Sequence, residues 1–195
     1  MEEWLLESAG SPWALPLLWL LVVGDGVIPA VPSEVFLISL ASLAVQGEGV
    51  PLAGLAAVAF FGAFVGENIA YSIGALIPID RMKYFNEGSG HRRVRMVRDR
   101  LRTHGSAYIL AARFIPGVRV VVNISVGAAG FPRSRFMGLA AATSALWTAY
   151  MIAMGAGAGH LFSGQPLLSV VVGIVAGTAI GMVLDRVLSR RTGSE

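Results

Sequence analysis

The sequence predicts an all-α integral membrane protein, and three observations carry that prediction. The 195 residues are 55% hydrophobic and only 14% charged, with a mean hydropathy of +0.68, too little polar surface for a soluble domain of this length. Two proline breaks, Pro29/Pro32 and Pro116, interrupt apolar stretches in corresponding places. The arginines cluster in one loop and in the C-terminal tail, the asymmetry that orients a chain across a membrane. Together these describe a single membrane domain over 1–195. It is an inverted repeat of a re-entrant helical hairpin plus a transmembrane helix, with a cytoplasmic amphipathic helix and a C-terminal transmembrane helix. At ~20 apolar residues per spanning helix, the length admits about four to six membrane segments.

The first broken hairpin is placed at 12–47. The chain is apolar from Pro12 to about Ile28, is broken at Pro29 and Pro32, and is apolar again from Val35 to Val45. Each arm is short for a hydrocarbon core of about 30 Å. That favours a hairpin entering and leaving on one side over a kinked span followed by a half-helix. A full span follows at 51–78, interrupted only by Glu67-Asn68.

The segment 80–103 is polar and basic, with eight Arg and Lys residues from Arg81 to Arg102. Val94, Val97 and Leu101 form a narrow apolar stripe. This reads as an interfacial helix with its arginines toward anionic inner-leaflet headgroups; a solvated cytoplasmic helix is the plainer alternative. The second broken hairpin is placed at 106–131 around Pro116-Gly117, a span at 134–160, and a last span at 166–185 before a basic tail. Positive charge then puts 81–102 and the C-terminus in the cytoplasm. Corresponding breaks in two oppositely inserted halves point to a transporter site near the midplane.

The charged residues at the breaks are the candidates for chemistry. Asp25 and Glu34 flank the first break, Arg113 and Arg119 the second, and Glu67 lies in the first long span. Ionisable groups at membrane depth are costly and mark function. An arginine fork binds phosphate, so Arg113 and Arg119, helped by backbone N–H groups at Gly117, are read as a phosphate site. The structural alternative pairs them with Glu34 or Glu67. Glu34, Asp25 and Glu67 are candidate proton carriers. For Glu34 the alternative is a first-turn helix acid behind a Ser33 cap, and for Glu67 an arginine partner, the reading we favour. Pro29, Pro32 and Pro116 are the hinges. Gly62/Gly66 and Gly155/Gly159 read as helix-packing faces, and Trp147, Tyr71 and Tyr150 as packing residues.

Other classes fare worse. The chain has no cysteine, so thiolate metal sites and cysteine catalysis are excluded. His91, His104 and His160 have no metal-ligand spacing, and no metal or cofactor is expected. No nucleic-acid module is present. Ser125 is the candidate nucleophile of the second hairpin and has no histidine placed to help it, so an enzyme is not expected. The acidic start Met1-Glu2-Glu3-Trp4 is unlike the basic opening of a signal peptide.

These residues also carry a family resemblance. Pro29-Ala30-Val31-Pro32-Ser33-Glu34, Gly66-Glu67 with Tyr71 and Gly74, and Arg113-Phe114-Ile115-Pro116-Gly117-Val118-Arg119 resemble the DedA family, also known as the SNARE-associated Golgi or VTT-domain family. The likeness runs over roughly 25–160 and continues through Gly127, Phe136 and Trp147. It implies a membrane protein with two re-entrant hairpins, moving polyprenyl phosphate or phospholipid between leaflets in dependence on the proton-motive force. It carries the family's two arginines onto Arg113 and Arg119, and the acid after the break onto Glu34. Many members have an acid before the break. Here Gly24 stands at that position, with Asp25 beside it.

The expectation is a lipid transporter of the bacterial cytoplasmic membrane, moving a phosphate-bearing lipid, foremost undecaprenyl phosphate, with protons as the coupling partner. A phospholipid flippase or scramblase, for example of phosphatidylethanolamine, is the near alternative. A non-transporting scaffold for envelope integrity is the distant one. A homo-oligomer is left open.

Overall fold

The computed structural model describes residues 11, 13–28, 31, 33–47, 49–77, 106, 109–110 and 118–161. Within them are five helices and no strand: α1 (Ala14–Asp25), α2 (Ser33–Val45), α3 (Leu52–Leu76), α4 (Val118–Ala128) and α5 (Arg133–Leu161). Pro29, Pro32, Arg113, Pro116 and Gly117 lie outside the described residues, as do the basic segment 80–103 and the last span 166–185.

Two helices are long and apolar enough to cross a membrane, α3 with 25 residues and α5 with 29. At 1.5 Å per residue they reach about 37 and 43 Å. α1, α2 and α4 have 12, 13 and 11 residues, or about 16–20 Å each, short of a ~30 Å hydrocarbon core. The structure thus separates long helices from short ones where the sequence separates spans from broken segments.

The turns have local causes. Gly47 and Gly49, at φ 85° and 81°, carry the chain from α2 to Pro51, whose extended backbone precedes α3. α4 ends in a Schellman motif built on Gly130 (φ 72°). There the Phe131 N–H donates to the Val126 carbonyl and the Gly130 N–H to the Gly127 carbonyl, each at 3.0 Å. The left-handed backbone that closes such a motif favours glycine. Pro132 follows directly, and the chain reverses into α5.

Contacts between helices fix their directions. Gly62 faces Trp19 and Val22, and Gly66 faces Val23 and Gly26, so α1 runs parallel to α3. Gly155 faces Ile38 and Gly159 faces Ser42, so α2 runs parallel to α5. Tyr71 stacks on Phe136, with ring centroids 4.4 Å apart, while Glu67 meets Thr143, so α3 and α5 run oppositely. α1 and α2 therefore fold back on one another, with Gly26 at the level of Gly66-Glu67 on α3.

The packing is crossed between halves. α2 lies along α5, and α4 crosses α3. At each crossing backbone meets backbone, which only glycine permits. A Cβ on Gly155 would stand 2.6 Å from the Ile38 carbonyl oxygen, and one on Gly159 2.5 Å from that of Ser42. A Cβ on Gly74 would run into the Ile124 carbonyl, and one on Gly127 into that of Tyr71. The small-residue faces read at Gly62/Gly66 and Gly155/Gly159 are thus helix contacts. Two apolar cores result. One joins Leu18, Val22, Leu37, Leu55 and Trp147 from α1, α2, α3 and α5. The other joins Tyr71, Val126, Phe131 and Phe136 around the α3–α4 crossing.

Candidate functional site

Gly26, the residue that follows α1, is pressed against α3. A Cβ on Gly26 would lie 2.6 Å from the Gly66 Cα and 3.2 Å from the Glu67 nitrogen. This contact puts Asp25, the last residue of α1, beside the middle of the long helix. Asp25 is 7% exposed and Arg119, the second residue of α4, is 8% exposed.

The two form an ion pair through Arg119 Nη2 and Asp25 Oδ2. The same Nη2 donates to the Asp25 backbone carbonyl at 3.0 Å, and Ser33 Oγ donates to Asp25 Oδ2 at 2.7 Å. Arg119 Nε is buried and has no hydrogen-bond partner among the described residues. The guanidinium is therefore engaged through Nη2, with one buried donor unspent.

Helix dipoles explain why these residue types meet here. An anion at the C-terminus of α1 and a cation at the N-terminus of α4 each oppose the dipole of their own helix. Brought end to end, each side chain sits at the pole of the other helix that favours it. Arg119 also satisfies one of the terminal carbonyls of α1, which have no partner within that helix. Neither charge is well placed by its own half of the chain, and the pair makes sense only when the halves meet.

The other candidate acids border this pair. Glu67, 3% exposed, has Thr143 Oγ1 of α5 3.4 Å from its Oε2. The Thr143 hydroxyl lies closer to the Leu139 carbonyl, at 2.9 Å. Glu34 stands in the first turn of α2, next to Ser33 and within electrostatic reach of Tyr150 on α5.

Set against the sequence reading, the structure brings Asp25 and Arg119 together and places Glu67 and Glu34 at their flanks. Arg113 and Gly117 lie outside the described residues. The carboxylate that Arg119 engages is Asp25, a pairing the sequence reading did not propose. The Ser33 hydroxyl is spent on Asp25, eight residues back across the break, rather than on a cap of α2. Thr143 was missed altogether. Its signal was a short polar run, Thr143-Ser144 and Thr148, within an otherwise apolar span. Ser144 Oγ and Thr148 Oγ1 are buried without hydrogen-bond partners among the described residues.

Comparison with known proteins accords with this architecture. Residues 31–157 match the VTT domain, a span that holds Glu34, Glu67 and Arg119 and begins downstream of Asp25. The chain is 25% identical over 170 residues to an "alkaline phosphatase-like protein" of Lactococcus lactis subsp. lactis, covering 80% of this chain and 79% of the relative. It is 24% identical over 161 residues to "undecaprenyl phosphate transporter A" of Staphylococcus aureus, covering 80% and 78%. No solved structure gives a significant match. With the matched domain covering well over half of its length, the chain belongs to the VTT-domain, or DedA, family of membrane proteins.

Proposed function

We propose that the protein moves a phosphate-bearing lipid between the leaflets of the bacterial cytoplasmic membrane, with undecaprenyl phosphate as the foremost substrate. The observation that carries this reading is the half-used guanidinium of Arg119. It is buried where the start of α4 meets the end of α1, holds a carboxylate through Nη2, and keeps Nε without a partner among the described residues. A phosphate presents the same planar pairing to an arginine fork as a carboxylate does, so a phosphate monoester and the Asp25 carboxylate are competitors for one cation. Similarity to a relative named undecaprenyl phosphate transporter A supports the same substrate class.

In this reading α1 and α2 form a re-entrant hairpin and α3 and α5 cross the bilayer. Pro29, Pro32 and Pro116 are the hinges. Arg113 and Gly117 complete the phosphate site beside Arg119. The basic segment 81–102 and the C-terminus face the cytoplasm, with the arginines on anionic headgroups. Asp25, Glu34 and Glu67 exchange protons, so that neutralising a carboxylate frees Arg119 for substrate and couples lipid movement to a proton gradient.

The test is reconstitution in liposomes with labelled undecaprenyl phosphate and labelled phosphatidylethanolamine, with and without a pH gradient. Gradient-dependent movement of the polyprenyl phosphate, lost in Arg119→Ala, is the expected result. Gradient-independent movement of phospholipid would replace the reading with a scramblase. No movement of either lipid by folded protein would sink it.

A further inference from the structure

Ser33 has no assigned role, yet it makes the bond that closes the first break. It is fully buried, and its hydroxyl reaches across eight residues to Asp25 Oδ2 at 2.7 Å. That oxygen is also the one Arg119 engages. One carboxylate oxygen therefore has two donors, Ser33 from its own half and Arg119 from the other. Ser33 is the first residue of α2, so the bond also ties the end of α1 to the start of α2.

We infer that Ser33 is a positioning residue whose hydroxyl holds the Asp25 carboxylate when Arg119 leaves it for a phosphate. This rests on the phosphate-transport reading above. A buried carboxylate stripped of its partner is strongly disfavoured, so until a proton neutralises Asp25, Arg119 departs easily only if another donor stays behind on that carboxylate. Among the described residues, Ser33 is the one other donor on that carboxylate. Its hydroxyl lowers the cost of the released state more than that of the paired state, because in the paired state the guanidinium already compensates the charge. Ser33 thus sets how readily Arg119 is exchanged between the internal carboxylate and the incoming phosphate.

The experiment is a double-mutant cycle of Ser33→Ala and Asp25→Asn in the full-length protein in nanodiscs, read in two ways. The first is binding of undecaprenyl monophosphate, with inorganic phosphate as a second probe to separate a headgroup effect from a lipid effect. The second is thermal stability without lipid. Ser33→Ala should weaken phosphate-lipid binding by roughly tenfold, the size expected for one hydrogen bond to a charged group, and should weaken inorganic phosphate in the same proportion. In the Asp25→Asn background, where Arg119 has no carboxylate to leave, Ser33→Ala should change binding less than about twofold. The stability cycle should show coupling between the two positions.

An equal loss of binding in both backgrounds would make Ser33 a packing residue and overturn the inference. Absence of coupling in the stability cycle would overturn the clasp itself. Stability coupling in a protein whose wild type binds neither probe would leave a purely structural clasp, and would overturn the phosphate reading together with the positioning role.

Discussion

The two arms that leave the breaks, α2 and α4, are both packed through glycines and are charged oppositely. Each lies against the long helix of the other half, α2 on α5 and α4 on α3, and each contact is made through two glycines that let backbone touch backbone. Their first turns differ. α2 opens with Ser33-Glu34, an acid where its helix dipole favours one, and α4 opens with Val118-Arg119, a cation where its dipole resists one. In the folded chain the cation at the start of α4 meets the carboxylate at the end of α1. The shared glycine packing supplies the geometry, and the difference in charge supplies the chemistry.

Arg119→Ala tests that difference most severely. It removes one member of a buried pair and leaves the Asp25 carboxylate without its cation, an expected loss of about 3–5 kcal/mol in stability. Lipid movement should disappear with it. The double variant Arg119→Ala/Asp25→Asn should recover much of the stability in thermal unfolding and none of the transport. Recovery of both would show that the pair only holds the halves together.

The two glycine crossings offer the next test. Gly74→Ala drives a methyl group into the Ile124 backbone, and backbone cannot rotate aside as a side chain does. α4 must then shift on α3, carrying Arg119 away from Asp25. Gly155→Ala meets the Ile38 carbonyl at 2.6 Å and the Ala41 Cβ at 2.7 Å, in a crossing that bears no part of the ion pair. Both should destabilise by roughly 1–3 kcal/mol or somewhat more, the cost of overpacking. Gly74→Ala should impair lipid binding well beyond its effect on stability, and Gly155→Ala should not. Equal effects on binding would mean that the site is not tied to the α4 crossing in particular.

How much of this was readable in advance follows from the solvent. The long helices, the breaks and the glycine faces are visible because length, proline and small-residue spacing do not depend on which side is lipid. The buried faces of α1 are not visible, because lipid and core are both apolar. Leu18 and Val22 are buried while Leu17 and Leu20 are exposed, and no periodicity separates them. α4 is the exception, with Arg119 and Asn123 buried beside Val120 and Val126 while Val118 and Val121 are exposed. That pattern marks it as a helix whose polar face serves the protein interior. Arg119 was legible as a site residue, but not its pairing with Asp25, since that pairing is made by a crossing between halves that are about ninety residues apart. The Ser33 bond was hidden by a cheaper local explanation, the helix cap.

A smaller effect is expected where the α3–α4 crossing is fastened at its far end. Tyr71 Oη donates to the Phe131 carbonyl at 2.5 Å while its ring stacks on Phe136. Tyr71→Phe keeps the stack and leaves the carbonyl unpaired, which should cost about 1 kcal/mol in thermal stability. Binding of a phosphate lipid should change little, because the turn into α5 moves rather than the start of α4. A loss of binding comparable to that of Gly74→Ala would show that the whole crossing acts as one unit with the site.

The smallest expected change also has the most informative sign. Ser144 and Thr148 lie one turn apart on α5, both buried, with hydroxyls that have no hydrogen-bond partner among the described residues. Unpaired buried hydroxyls are a burden on a fold, and replacing them with apolar groups of like shape is neutral or stabilising. Ser144→Ala/Thr148→Val should therefore leave thermal stability in detergent unchanged or raise it, by up to roughly 1 kcal/mol. If the hydroxyls serve water or a lipid headgroup, the same variant should lose transport while gaining stability, and the α5 face beside Thr143 and Glu67 would extend the site beyond its charged residues. If transport is unchanged, the polar run is incidental and the chemistry is confined to the ends of α1, α2 and α4. A clear fall in stability would contradict both, since it would mean that each hydroxyl has a partner within the fold, and the packing of α5 against α2 and α3 would then need to be redrawn.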